Sequence, residues 1–297
     1  QQLIAFSGLI IAVASLALGG LVVSSNAIAA VNRVFGLLGL SLAVWGFGYY
    51  SSFSAADSTD ALMWAKVFML GAAFIPVFYL HFVVLFIDRY SRFRLSILSG
   101  YVLSTIFACA GLVSENFISR VAPNRWFTFW PIAGDFYIYF LVFFFAALVF
   151  SIYLLSKKSG LKAVDLLQKK YLIMGATVGL LGGATNYPQW YGIEIPPVGN
   201  ILVLAFPISI TYAILRTRLF NTKVLLTEVA VGVVVSIALV QTIALSGSQL
   251  VTGGLLTLSL AAGGIILIKS VRAEVDKREE IEKLAKEKIE TLKELEQ

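Results

Sequence analysis

The chain has 297 residues, of which 59% are hydrophobic and only 13% charged, and its mean hydropathy is +0.86. Soluble domains carry about a quarter charged residues, so this composition excludes a water-soluble globular protein and indicates an integral membrane protein. A net charge of +6 spread over connecting segments gives no nucleic-acid interface, and a lone cysteine, Cys109 inside an apolar run, gives no disulfide framework and no thiolate metal site.

In chain order, nine runs are long and apolar enough to cross a hydrocarbon core of about 30 Å as helices. They are residues 3–23, 34–54, 61–87, 96–114, 136–156, 171–190, 195–215, 229–247 and 250–269. A membrane β-barrel would alternate apolar and polar residues instead. The expected fold is an all-α integral membrane protein, a polytopic bundle of about nine transmembrane helices ending in a cytoplasmic coiled-coil helix. The first run has neither a basic segment before it nor a small-residue cleavage site after it, and reads as a membrane helix rather than a signal peptide.

Basic residues sort by side. Before the last 29 residues there are 15 Lys and Arg, and the odd-numbered connections collect twelve of them, among them Arg33, Arg89, Lys157, Lys170 and Arg216. By the positive-inside rule those connections face the cytoplasm, the N-terminus lies outside, and the C-terminal segment lies inside. The opposite side holds Lys66, Arg120 and Arg125 with the acids Asp57, Asp60, Glu115, Asp135 and Glu194.

The long outer connection is "ENFISRVAPNRWFTFWPIAGD", residues 115–135, with Trp126, Phe127, Phe129 and Trp130. Such a cluster serves as an interfacial aromatic belt or as a lid over a ligand cavity. In the third run, Lys66 either snorkels to the interface or faces an outward cavity with Glu194 or Asp135, a cavity to which Asn186, Gln189, Trp190 and Tyr191 would also contribute. His81, further along the same run, is either a packed residue bonded to a neighbouring helix or a group with a ligand-binding or proton-linked role. Pro76 and Pro207 are expected to kink the third and seventh helices. In the sixth run Gly175, Gly179 and Gly183 fall four apart on one helix face, a spacing that lets helix backbones approach closely.

From Lys269 the composition inverts, with eight basic and nine acidic residues among the last 29 and no Gly or Pro. A continuous helix is expected to leave the membrane. Ile281 and Leu284 recur as Leu292 and Leu295 eleven residues on, a narrow stripe that is too short to be stable alone and asks for a partner helix, most economically as a homodimer. Catalytic patterns are absent: there is no H-E-x-x-H, G-x-S-x-G or Walker A sequence and no paired Cys or His, so no enzyme, metal or cofactor is expected in this chain.

"GGATNYPQWYGIEIPPVGN" followed by "SITYAILRTRLFN" resembles the seven-helix membrane sensor region at the N-terminus of many bacterial sensor histidine kinases. The resemblance rests on Gly182, Gly183, Asn186, Gly192, Ile193 and Pro197, and on the exit residues Tyr212, Ala213, Ile214, Arg216, Arg218, Leu219 and Phe220. Upstream, "NRVFGLLGLSLAVWGFGYY" and "FIPVFYLHF", with Trp45 and His81, are similar to the family's second and third helices. The likeness covers residues 1–222, leaving two further spans in 223–269 and the charged rod in 270–297. It implies a sensor role in the bacterial inner membrane. A downstream kinase domain would follow, with a response regulator as its partner, and the signal would be a small or lipophilic ligand or the state of the bilayer. A small-solute transporter and a receptor with another output, such as a cyclic-dinucleotide synthase, are the alternatives.

Overall fold

The computed structural model describes residues 2–157, 163–215 and 248–295, together with Thr227, Val231 and Val235. The chain divides into two compact units, residues 1–218 and 219–297. The expected eighth span, 229–247, and the exit residues from Arg216 to Phe220 lie outside the described residues apart from Val231 and Val235.

The first unit is a bundle of antiparallel-connected helices: α1 (Gln2–Ser25), α2 (Ala30–Ser54), α3 (Ser58–Phe86), α4 (Tyr90–Val113), α5 (Tyr137–Ser156), α6 (Ala163–Ala184), the short α7 (Tyr187–Trp190) and α8 (Ala205–Leu215). Among the described residues six helices are long and apolar enough to cross a membrane: α1 to α5 here, and one in the second unit. α6 has 22 residues but opens on Asp165, Gln168, Lys169 and Lys170, and α8 has only eleven.

Burial ranks the helices. The apolar window of α3 is 72% buried within the protein and that of α4 only 28%, so α3 is the central post and α4 an outer stave that leaves Leu95, Leu98 and Val102 exposed to lipid. Close approach relies on missing side chains: a Cβ on Gly39 would stand 3.2 Å from the Gly19 Cα, and one on Gly48 would stand 2.8 Å from the Phe68 Cβ. The turn between α1 and α2 is tied by Asn32, whose amide donates to the carbonyls of Val22 at 3.0 Å and Asn26 at 3.1 Å, satisfying part of the α1 C-terminus. Asp57 caps α3 by accepting from the amides of Thr59 and Asp60 at 2.8 and 2.9 Å.

The helical architecture has one addition that the sequence did not disclose. Residues 115–135 contain an antiparallel hairpin, β1 (Ile118–Ala122) with β2 (Trp130–Ala133), in the register Ala122 to Trp130 and Ile118 to Ala133. Its turn is organised by Asn124, whose Oδ1 accepts from the amides of Trp126 and Phe127 at 2.9 and 2.8 Å.

The sixth and seventh runs also differ from the continuous spans expected. α6 stops at Ala184, a turn carries Thr185 and Asn186, and Pro188 stands at the start of the four-residue α7. Residues 193–197 are irregular because Pro196 and Pro197 disfavour helical backbone in the residues before them. A 3-10 turn, Asn200–Leu204, then leads into α8. Pro207 consequently sits in the first turn of α8, where proline is tolerated, and not at a mid-helix kink. α3 continues as one helix through Pro76.

The second unit contains α9 (Ser248–Leu295), 48 residues in one uninterrupted helix that includes the apolar segment Gly253–Val275 and the charged segment after it. A Cβ on Gly264 would collide with the Val231 side chain, so the two residues pack together.

Candidate functional site

An elongated cavity lies inside the first unit, between α2, α3, α5, α6, α7, α8 and the hairpin. Counted as room for the centre of a water molecule, its volume is about 70 Å³, several times the roughly 10–15 Å³ that one water needs. Four successive turns of α5 contribute Tyr137, Phe140, Phe144, Leu148 and Ile152, and α2 contributes Leu42, Trp45, Tyr49 and Phe53. These i, i+3, i+4 spacings put each set on one helix face. Among the described residues, no Asp, Glu, Lys, Arg or His belongs to the wall.

Aromatic rings close the hairpin end. Trp190 stacks on Tyr137 with centroids 4.2 Å apart and planes 9° apart, and meets Phe68 edge-on at 6.0 Å. Trp130 of β2 lies 4.8 Å from Phe53, nearly parallel to it, and 4.6 Å from Phe127. The indole of Trp130 is buried and its Nε1–H has no hydrogen-bond partner among the described residues. The hairpin is anchored to this end of the bundle by Asn124, which donates to Gln189 Oε1 at 2.6 Å, while Gln189 Nε2 donates to the Ile195 carbonyl at 2.6 Å.

The polar side of the wall is Asn186, 6% exposed. Its Oδ1 accepts from the Tyr49 hydroxyl at 2.9 Å, and its Nδ2 donates to Asn200 Oδ1 at 2.8 Å and to the Gly183 carbonyl at 3.1 Å. Asn200 donates in turn to Ser7 Oγ at 2.7 Å, and Ser7 donates to the Ile4 carbonyl at 2.6 Å. One buried chain of hydrogen bonds therefore joins α2, the turn after α6, the 3-10 turn and α1. Each member satisfies the next, as burial of polar groups requires. No local pattern in the sequence signals it, because Tyr49 and Ser7 are 137 and 193 residues from their partners.

Of the ligand-site residues expected from sequence, the cavity brings together Trp130, Asn186 and Trp190 and leaves four outside. Trp126 follows the Asn124 turn and is 38% exposed, with the Arg125 guanidinium 5.3 Å from its ring. Lys66 is half-buried on α3 and does not belong to the wall, although Met69, three residues on, does. Glu194 is exposed in the loop after α7. His81 lies beyond the cavity on α3, with Nδ1 2.9 Å from the Tyr101 hydroxyl of α4 and its ring against Tyr90.

The glycines of α6 face α8 and the 3-10 turn. A Cβ on Gly175 would overlap the Ser209 side chain, one on Gly179 would lie 2.9 Å from the Phe206 Cβ, and one on Gly183 would lie 3.5 Å from Val203 Cγ2. On α9, Ile281 and Leu284 are exposed, while the side chains of Leu292 and Leu295 fall outside the described residues.

Fold and site together define a polytopic helical membrane protein with an internal aromatic cavity. Residues 8–223 match the family model of the N-terminal 7TM region of histidine kinase, and the chain belongs to that family. No curated protein and no solved structure matches the chain.

Proposed function

We propose that this chain is the sensory and dimerisation part of a bacterial sensor histidine kinase in the inner membrane, N-terminus outside, organised as a seven-helix sensor (1–222), two further spans (223–269) and a cytoplasmic signalling coiled coil (270–297). The family match makes the chain a membrane input region of a histidine kinase. One observation carries the finer reading: α9 runs without a break from its apolar segment into its charged one. A shift or rotation of the membrane segment is then passed along the same hydrogen-bonded helix. Exposed Ile281 and Leu284 support a second copy as the occupant of the stripe, since burying each contributes about 1.5–3 kcal/mol. A signal acts by favouring one of two arrangements of the bundle, and can shift their balance only by its differential affinity for them. Family membership favours this over solute transport.

Disulfide crosslinking in native membranes tests the reading. In a Cys109→Ser background, single cysteines at 281, 284, 292 and 295 are expected to crosslink between copies, and cysteines at 283 and 290 to crosslink poorly. Absence of crosslinking at all six positions would contradict the dimeric rod.

A further inference from the structure

We infer that the aromatic cavity is a binding site for a neutral single-chain amphiphile, an extended apolar chain bearing one small polar head that accepts a hydrogen bond. The inference rests on the sensor reading above and supplies its ligand class.

Three observations converge. Among the described residues, the wall holds no ionisable acid, amine, guanidinium or imidazole, so a charged ligand would lose its hydration without gaining a counter-charge. The cavity is long rather than round: its lining extends from Tyr137 to Ile152 on α5, about 22 Å at 1.5 Å per residue, and from Leu42 to Phe53 on α2, about 16 Å. It therefore runs along the helices, parallel to the lipid chains around it. Its wall residues Phe144, Ile152 and Leu180, on α5 and α6, are only half-buried, so this side of the cavity is thinly covered where the two membrane-length helices meet their surroundings.

The polar requirement is set at the hairpin end. Of the buried polar side-chain atoms without a partner among the described residues, one belongs to a residue of the cavity wall, the Nε1 of Trp130. An indole N–H only donates, so a ligand head that reaches it has to be an acceptor. The Asn186 amide cannot serve as the donor because its Nδ2 is already engaged by Asn200 and Gly183. Asn186 nevertheless joins the wall to the hydrogen-bonded chain that ends on α1, so the occupant abuts the contact that ties four segments together.

A long-chain alcohol carrying a mid-chain diazirine is the probe, applied to the whole chain in phosphatidylcholine nanodiscs, with labelled residues mapped by mass spectrometry. Labelling is expected on the cavity face of α5, at Phe144 and Leu148. It should saturate and be competed by unlabelled tetradecanol, with an alkyl sulfate of equal length roughly tenfold weaker or worse. Trp130→Phe, which keeps an aromatic ring but removes the donor, is expected to weaken saturable labelling about two- to tenfold, the worth of one net hydrogen bond. Ala72→Leu, which fills the wall, should abolish it. If Ala72→Leu fails to fold, Trp130→Phe and the competition series decide, each checked for unchanged thermal unfolding.

Labelling confined to the lipid-facing residues Val142 and Val149 would overturn the site. Cavity labelling that tetradecanol does not displace would also overturn the proposal, since the probe would then be partitioning into the protein without a saturable site. Equal potency of the alkyl sulfate would overturn the neutral class. No kinase takes part, so the binding result stands or falls independently of the crosslinking test of the rod.

Discussion

Replacing Asn186 with Leu removes the hub of the buried hydrogen-bond chain. Three side-chain bonds are lost, and two of the abandoned groups, the Tyr49 hydroxyl and Asn200 Oδ1, belong to residues only 2% and 1% exposed. In a water-soluble core, each orphaned group costs about 1–3 kcal/mol. Within membranes the measured worth of such a bond averages about 0.6 and reaches about 1.7 kcal/mol, because an unfolded helix still finds partners in the bilayer. Three bonds then cost about 2 to 5 kcal/mol. Tyr49→Phe, which removes one bond, should cost about 0.6–1.7 kcal/mol. Reversible unfolding in bicelles, with Asn186→Leu and Asn200→Leu made singly and together, measures both cost and connection. The double variant should cost less than the sum of the singles by at least about 0.6 kcal/mol, since the bond between the two is counted twice in the sum. Strict additivity, or single costs below about 0.5 kcal/mol, would refute a connected chain.

Gly175→Leu should destabilise the first unit by about 1–3 kcal/mol in thermal unfolding, because the new side chain starts inside Ser209, and Ser209→Gly should recover part of the loss. Asn124→Ala removes both the turn that organises the hairpin and its tether to Gln189; hydrogen exchange should quicken across residues 118–133 while the amides of α2 and α3 stay protected. Lys66→Ala and Glu194→Gln should leave amphiphile labelling within about twofold of the parent, since neither residue lines the cavity and exposed or half-exposed charges away from a site contribute little.

Hydropathy located the first five helices to within six residues at either end, because crossing a bilayer imposes a length that the sequence must meet. The continuous helix from the last apolar run into the charged segment was legible for a related reason: nothing between Gly264 and Leu295 breaks it. Where prolines crowd, hydropathy misled. Residues 195–199 are apolar enough for a span, yet Pro196 and Pro197 withhold the helix until Asn200. The cavity was half legible. Asn186 and Trp190 stood out as polar and aromatic groups near a helix end, whereas Tyr49, Asn200 and Ser7 look ordinary locally and acquire a role only when distant helices bring them together. Trp126 and Trp130 show the opposite failure, since four residues of sequence proximity conceal a turn that sends one ring out and the other into the core.

The 48-residue α9 has a further property that follows from its being unbroken. At 3.6 residues per turn every position has a fixed compass bearing relative to every other, 100° per residue, along a shaft about 72 Å long. Adding one residue near Lys269 turns everything beyond it by about 100° and advances it by about 1.5 Å, whereas adding seven restores the original bearing to within about 20°. Leu295 thus stands at a fixed heading from the apolar segment as well as a fixed distance, and the length of the helix sets an angle.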